Sequence, residues 1–189
     1  MPTHPFLINN KKYIQMACDL TLGRLEPCKD SVGGITAIYF VNFGDLSVSY
    51  NATDTDAIDS IGTSVGAYKY EVKGASSFTQ NIQSDRATGT TAFEQVLELT
   101  LKKLTKEDHK ELKLLSFGRP HVLVEDNNGN IFLAGLEHGM DVTGGTIVTG
   151  AAMNELSGYT LTLTGMEKVP ANFLTTDVAS AGGSITVGA

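Results

Sequence analysis

The chain has 189 residues and a mass of 20.1 kDa, a size that fits one domain. Hydrophobic residues make up 41% of it and charged residues 19%, a balance that argues against intrinsic disorder. Twenty-one acidic against fourteen basic side chains give a net charge of −7, which argues against a protein that grips nucleic acid through its phosphates.

The N-terminal residues 1–16 surround one short apolar patch with polar side chains and predict a flexible arm. Lys11 and Lys12 follow that patch, which is the reverse of their order in a secretory signal. A denser pattern begins at Met16, so Met1 and Met16 both stay open as the start of the mature chain. No stretch approaches the roughly 20 apolar residues that cross a bilayer, and no membrane association is predicted.

Alternating and β-branched segments predict a run of β-strands before the middle of the chain. The predicted strands are Ile35–Phe43, Leu46–Tyr50, Gly66–Lys73, Ser76–Gln83 and Ala92–Lys103. We expect the second to pair with the first. In the last, Leu97 and Leu99 share one face. Glu94 and Glu98 share the other face, and Gln95 alone interrupts the apolar set.

The segment Asn51–Ser64 is rich in Asp, Thr and Ser and predicts a long polar loop. Long ordered loops in compact domains are often functional. Asp54, Asp56 and Asp59 resemble the start of a calcium-binding loop, but the glycine and the distal bidentate glutamate of an EF-hand are missing. A solvated loop is therefore the preferred interpretation.

One helix is predicted over residues 105–117. Thr105 is placed to cap the amide of Asp108, close to the pattern of a capping box. The expected apolar stripe consists of Leu104, Leu112, Leu115 and Phe117. Gly118 offers a left-handed stop, and Pro120 prevents the helix from continuing. A helix this short needs a sheet beneath its stripe.

Further strands are predicted after the helix. His121–Asp126 and Asn130–Ala134 flank Asn127-Asn128-Gly129, and Asn-Gly between apolar runs is a strong hairpin signal. Thr146–Thr149 is a weaker strand, and Tyr159–Thr164 alternates apolar residues with threonines.

Together these elements predict one domain over residues 17–170, a mainly antiparallel β sandwich or barrel with one flanking helix. Residues 171–189 are rich in small side chains and predict a C-terminal extension outside the core.

Signatures of chemistry are scarce. His138 lies near Glu137 and Asp141, but a solvated hairpin end is the preferred interpretation. Cys18 and Cys28 lack the further ligands of a zinc site, and we expect reduced thiols. No nucleophile elbow or phosphate-binding loop occurs, although a Ser-His-Asp group that converges only in space stays open. The sequence predicts no catalytic residue, metal site or cofactor, and a protein that is not an enzyme.

Two segments carry a resemblance to a known family, ATGTTAFEQVLELTLKKLTKEDHKELKLLSFGRPHVLVEDNNGNIFLAGLEHGM and SGYTLTLTGMEKVPA. In the order of their elements, over residues 87–171, they resemble the tail-tube proteins of long-tailed bacteriophages. The resemblance implies a virion protein assembled in the host cytoplasm, with a β sandwich whose hexameric rings stack into a hollow tube. Its implied partners are copies of itself and other virion proteins, and DNA passes without specific binding.

The family contacts the next ring through a long loop between early strands, which the resemblance places on Asn51–Ser64. The implied contact residues are Asp54, Asp56, Asp59 and Ile61. Terminal arms between rings would correspond to residues 1–16 and 171–189. Deleting Asn51–Ser64 is then expected to leave a folded domain and to abolish stacking.

An acidic channel suits this function because it repels phosphates, whereas a basic one would hold them. The candidate channel-lining or simply solvated residues are Glu94, Glu98, Thr160 and Thr162, with Thr164 beside them. Exposed strand edges would pair between neighbouring subunits and so be protected.

Two alternatives remain at this point. A capsid decoration, neck or connector protein would keep the same fold in another place in the virion. A small-ligand-binding β barrel would need an apolar cavity, and aromatic residues make up only 7% of the chain.

Overall fold

The computed structural model describes residue 20 and residues 22–188, and the chain divides into one unit up to Ser31 and a second from Val32 onward. In the first unit every described residue is exposed, including Cys28, which is a free thiol. The arm predicted for residues 1–16, Cys18 and the choice between two start methionines lie outside the described residues.

The second unit is mainly β, with strands in two sheets and one helix, as predicted. Its elements are β1 (Ile35–Val41), β2 (Ser49–Tyr50), β3 (Ala57–Ser60), β4 (Val65–Glu71), β5 (Ser77–Asp85), β6 (Thr90–Lys102), α1 (Lys106–Phe117), β7 (His121–Asp126), β8 (Ile131–Ala134), β9 (Asp141–Val148), β10 (Gly158–Glu167), β11 (Asn172–Leu174) and β12 (Gly183–Val187).

The strands form an eight-stranded sheet and a four-stranded sheet. The larger has the order β12-β4-β1-β7-β8-β11-β3-β2, and the smaller has the order β5-β6-β10-β9. Neighbours are antiparallel except for two parallel pairs, β11 with β3 and β12 with β4. The smaller sheet is antiparallel throughout.

The larger sheet buries both of its faces, which explains the continuous apolar run of β1. Ile38 and Phe40 pack toward the smaller sheet, against Leu97 among others. Tyr39 and Val41 belong to a second core on the opposite face. That second core also contains the side chains Ile58 of β3, Val65 of β4, Leu123 of β7 and Leu174 of β11. Because β3 and β4 lie far apart in the strand order, the larger sheet must curl around this core.

The predicted helix is confirmed at its start and corrected at its end. The hydroxyl of Thr105 accepts a hydrogen bond from the amide of Asp108 at 3.0 Å, and Leu112 is buried. Phe117 is 81% exposed, so its predicted place in the apolar stripe was wrong. Gly118 has φ −95° and ψ 174°, so the predicted left-handed stop was also wrong. Its amide instead donates to the carbonyls of the last helical turn.

The hairpin of β7 and β8 forms at the predicted place. Gly129 has φ 83° and is the turn residue that needs the left-handed region. The strand predicted at Leu46–Tyr50 is reduced to Ser49–Tyr50, and it pairs with β3 rather than β1. Pairing with β1 is blocked because β4 and β7 occupy both of its edges.

The C-terminal segment lies within the fold, so the prediction of an extension outside the core was wrong. β11 and β12 extend the larger sheet, and Val178 and Ala181 are buried in its second core, on the face that points away from the smaller sheet. Small side chains permit this close packing. Gly182 has φ 107°, and a Cβ at that position would overlap the carbonyl oxygen of Gly62.

The segment Asn51–Ser64 is not a free loop, because β3 lies within it. Ile58 and Ile61 are both fully buried. A deletion of this segment would remove one strand and two core side chains, so we no longer expect it to leave a folded domain. Among the described residues, no helix is long and apolar enough to cross a membrane.

Candidate functional site

One face of the four-stranded sheet is predominantly polar. Side chains alternate along each strand, and the apolar set that includes Leu97, Leu99 and Leu163 points into the core. The opposite face therefore presents Ser77, Thr79, Asn81, Gln83 and Asp85 of β5, Glu94, Val96, Glu98 and Thr100 of β6, Thr160, Thr162, Thr164 and Met166 of β10, and Asp141, Gly144 and Thr146 of β9. We call this surface the polar face.

The register brings the predicted lining residues together on the polar face. Thr162 of β10 lies directly opposite Glu98 of β6, and Thr160 lies opposite Thr100. Glu94 lies four residues along the same strand from Glu98, opposite Met166. Glu94, Glu98, Thr160 and Thr162 therefore share one face of the sheet.

Hydrogen bonds between side chains tie the polar face across its strands. The carboxylate of Glu94 accepts from the amides of Asn81 at 3.3 Å and Gln83 at 3.2 Å. The hydroxyls of Thr146 and Thr160 lie 2.6 Å apart. These bonds use neutral partners, and among the described residues no Lys, Arg or His forms an ion pair with Glu94.

The charges on this face are predominantly acidic. It carries the carboxylates of Asp85, Glu94, Glu98 and Asp141, and Lys102 at one end of β6 is its single basic residue among the described strands. A surface with this excess repels polyanions such as nucleic-acid phosphates.

Both lateral edges of the four-stranded sheet lack a strand partner among the described residues: β5 ends it on one side and β9 on the other. Neither edge contains Lys, Arg or Pro, residues with which proteins commonly block edge pairing, and β9 has one bulge between Val142 and Gly144. Each strand is antiparallel to the next, so the two edge strands run in opposite directions. The β5 edge of one copy can therefore continue antiparallel pairing with the β9 edge of another.

The register also shows which edge amides are free to pair. The amide of Thr100 points toward β5, because it donates to the hydroxyl of Ser76 at 3.1 Å. Backbone amides point to opposite sides of a strand at successive residues. Given the antiparallel pairing of β5 with β6, the amide of Ile82 therefore points away from β6, toward the open edge of the sheet. The amide of Ile147 likewise points outward on β9.

The β5–β6 hairpin extends beyond the core. Residues 81–91 are all exposed, although both strands stay paired to the turn. Ile82 is 70% exposed on the apolar side of the hairpin, opposite Phe93. We call residues 81–91 the projecting hairpin, and within the described part of the chain most of the Ile82 side chain is left uncovered.

Of the residues implied as inter-ring contacts, Asp54, Asp56 and Asp59 are exposed and Ile61 is buried. Asp59 accepts from the amide of Asn51 at 3.1 Å and from the hydroxyl of Thr175 at 2.9 Å. Asp54 accepts from the backbone amide of Asp56 at 3.0 Å. Ile61 is a core residue whose amide donates to the carbonyl of Ala181 at 2.9 Å.

One cluster of titratable groups lies at the end of the polar face. The ligand-type atoms of Glu137, His138 and Glu167 lie within 4.8 Å of one another. The buried carboxylate of Glu167 accepts from the backbone amides of Glu137 at 3.0 Å and His138 at 2.8 Å. Lys168 binds Glu137 at 2.9 Å and lowers the pKa of that carboxyl. Each group thus has a partner within the chain, and Glu167 serves to hold the 137–138 backbone.

The open grooves on the described surface do not form an enclosed ligand cavity. One of them is a partly apolar groove of about 300 Å³ between α1 and the strands β1 and β4. The guanidinium of Arg119 lies 4.0 Å from the ring centroid of Phe43 at its rim. Burial, together with the nearby carboxylates of Glu111 and Asp108, raises the pKa of Tyr70 to about 12, so this hydroxyl stays protonated at neutral pH.

Comparisons with protein-family models, with curated proteins and with solved structures return no match for this chain.

Sequence reasoning missed three parts of this surface. The edge strand β9 was predicted only at Thr146–Thr149, because Gly144 and Gly145 supply no side-chain alternation. The projecting hairpin was predicted as strands, without a signal that it would leave the core. The contact of Glu167 with the 137–138 backbone joins residues about thirty positions apart and has no sequence signature.

Proposed function

We propose that this chain is a structural virion protein of the tail-tube type, whose copies join side by side into rings and stack into a conduit for DNA. The observation that carries the proposal is the pair of unblocked, oppositely directed edges on one antiparallel sheet. An isolated domain would have to protect such edges against aggregation. In a ring, each contact would instead pair the β5 edge of one copy with the β9 edge of the next.

The geometry of ring closure suits a passage for duplex DNA. Each copy contributes four strands, and six copies would place twenty-four around one axis. With a strand spacing of about 4.8 Å and a tilt of about 40°, the backbone circle would be about 50 Å across. Side chains reach about 5 Å inward from each wall, half the distance between packed sheets, which leaves about 40 Å. That width exceeds the roughly 20 Å of a duplex whose major groove alone is about 12 Å wide.

The polar face would line this channel. Its hydroxyl and amide side chains offer water a continuous layer of partners, and Glu94, Glu98, Asp85 and Asp141 repel phosphates. The apolar side of the same sheet is packed against the core of the domain. In a closed ring of such sheets, the polar side is therefore the side that faces either the ring axis or the exterior.

We assign the contact between stacked rings to the projecting hairpin rather than to Asn51–Ser64. Its eleven residues are exposed, and it carries Ile82 at 70% exposure. An ordered apolar side chain beyond the core gains free energy when another copy covers it.

Proline substitutions at the outward-facing edge amides test the proposal. Ile82→Pro and Ile147→Pro each remove an amide that is free in the domain, so the internal ladder stays intact while edge pairing is blocked. Ile82→Ala and Ile147→Ala are the matched controls that shorten the same side chains and keep the amides. All variants are compared by negative-stain microscopy and sedimentation velocity at high concentration, with thermal unfolding as the check on folding.

We expect rings and tubes for the unmodified chain, and for Ile147→Ala, while Ile147→Pro stays monomeric with nearly unchanged thermal unfolding. Ile82→Ala distinguishes the contact within a ring from the contact between rings, because it keeps the edge amide and removes the exposed apolar group. For this variant we expect rings that do not stack into tubes. A chain that stays monomeric at every concentration, or proline variants that assemble normally, would contradict the proposal. Single rings from the unmodified chain that never stack would favour a neck or connector protein of the same fold.

A further inference from the structure

The β7–β8 turn clamps the stretch of chain where the second unit begins. Asn128 accepts from the backbone amide of Val32 at 2.9 Å and donates to the carbonyl of the same residue at 2.8 Å. Asn127 donates to the carbonyl of Gly33 at 2.7 Å and accepts from the hydroxyl of Thr36 at 2.8 Å. The two side chains thus replace a partner strand for the residues that lead into β1.

The clamp residue Asn128 is also the first residue of an exposed Asn-Gly pair. In such a pair the backbone nitrogen of the glycine can attack the Cγ of the asparagine, since no side chain hinders the approach. The N–Cγ bond forms, the Cγ–Nδ2 bond breaks, and ammonia leaves with the proton from the glycine nitrogen. Water then opens the succinimide to aspartate or isoaspartate, so the net reaction consumes one water and releases one ammonia without any redox change.

The clamp and this reaction compete for the same side chain. Both Oδ1 and Nδ2 of Asn128 are engaged on Val32, which holds Cγ in one orientation. The amide of Gly129 is also occupied, because it donates to the carbonyl of Asp126 at 3.2 Å. Attack requires the side chain to leave Val32 and the Gly129 amide to leave Asp126.

We propose that Asn128 is a deamidation site controlled by the clamp: it is protected while Val32 is bound and reacts when Val32 is released. The modified residue would be aspartate or isoaspartate at position 128, formed without an enzyme.

The reaction would make the release permanent. A carboxylate at position 128 cannot donate to the carbonyl of Val32, so half of the clamp is lost. It would also lie beside the carboxylate of Asp126, to which Nδ2 of Asn128 now donates at 3.2 Å. Isoaspartate adds a methylene to the backbone of a tight turn, so the β7–β8 hairpin could not close in its present register. Asn128 would therefore act as a one-way latch at the start of the second unit.

Two substitutions of Val32 test the latch without altering the Asn-Gly pair. Val32→Pro removes the backbone amide that binds Oδ1, whereas Val32→Ala keeps both backbone groups and serves as the control. The full-length proteins and a synthetic peptide of residues 124–132 are incubated at mildly alkaline pH and 37 °C. Peptide mapping by mass spectrometry follows the one-dalton gain and the isoaspartate at position 128, and thermal unfolding checks that each protein is folded.

We expect the unmodified protein and Val32→Ala to react several-fold more slowly than the peptide, and Val32→Pro to react several-fold faster than Val32→Ala. Hydrogen exchange of Asn128→Asp provides a second measurement, in which residues 32–34 should exchange faster than in the unmodified protein. Equal rates in Val32→Pro and Val32→Ala, or a folded unmodified protein that reacts as fast as the peptide, would overturn the proposal.

Discussion

The side chain of Gln95 accepts a hydrogen bond from the backbone amide of Gly135 at 2.8 Å, in the core between the two sheets. Gln95 is only 1% exposed. The carbonyl of Gly135 is bound in turn by Nδ1 of the buried His121 at 2.6 Å. Side chains thus bind both backbone groups of a residue that follows β8, where the strand ladder has ended, and the Gly135 carbonyl also accepts from the amide of Gly139 at 3.1 Å.

Replacing Gln95 with leucine should lower the free energy of unfolding by about 1–3 kcal/mol, because the Gly135 amide would be buried without an acceptor. Urea denaturation followed by circular dichroism measures this loss. Gln83→Leu is the matched control, since Gln83 lies exposed on the neighbouring strand. Equal losses in the two variants would show that the bond to Gly135 contributes nothing specific.

Gln95 also shows where sequence reasoning ends. The alternation of β6 predicted that this residue points inward, and it does, but no pattern names a partner forty positions away. The helix cap at Thr105 and the turn at Gly129 could be predicted, because each is fixed by residues within about four positions. The C-terminal segment could not, because it packs through small residues: Ala181 is buried, and Gly182 lies against the backbone of Gly62. On the polar face, the alternation of side chains along β6 was enough to predict that Glu94 and Glu98 share one face. The unpaired edges could not be predicted, because they depend on the spatial order of the strands.

The turn at Asp126 should make the hairpin sensitive to acid. Partial burial raises the pKa of Asp126, but hydrogen bonds from Asn130 and Asn128 outweigh it, and the net pKa lies below the ordinary value. A carboxyl group whose pKa is lower in the folded state than in the unfolded state stabilises the folded protein at pH values above its unfolded-state pKa. This stabilisation is lost as the pH falls through its folded-state pKa. Asp126→Asn should therefore be destabilised at neutral pH, and its gap to the unmodified protein should close as the pH falls below about 3.9 and the Asp126 carboxylate becomes protonated. Unfolding in urea across that range is the measurement, and a gap between the two proteins that did not close in acid would contradict it.

The carboxylates of Glu167 and Glu137 should differ sharply in their effect on stability. Glu167 is buried and accepts two backbone amides, so Glu167→Gln weakens charge-assisted bonds and should cost about 1–3 kcal/mol of unfolding free energy. Glu137→Gln breaks only an exposed pair with Lys168, and we expect no measurable change. Thermal unfolding of the two variants side by side distinguishes them. The assignment fails if Glu137→Gln proves the more damaging.

Ile61 and Asp54 test whether the segment Asn51–Ser64 belongs to the core. Ile61 is fully buried, and Ile61→Ala should cost about 2–5 kcal/mol by leaving a cavity. Asp54 is exposed, and Asp54→Ala should change the unfolding free energy by only a few tenths of a kcal/mol, about the range of ordinary surface substitutions. Denaturant unfolding measures both. A stable Ile61→Ala protein would contradict the assignment of this segment to the core and favour the polar loop that the sequence predicts.

Replacing acidic residues of the polar face with lysine should make this face bind DNA rather than repel it. Glu94→Lys combined with Glu98→Lys places two cations per copy where the proposed channel would carry anions. If the face lines a tube, the variant should retain duplex DNA in co-sedimentation, and the retention should fall steeply with salt because counterions compete for the phosphates. Glu107→Lys combined with Glu111→Lys makes the same change in net charge on the exposed side of α1 and is the matched control. DNA that binds both variants equally would place the polar face outside the tube, since only a lining surface holds the duplex against every subunit at once.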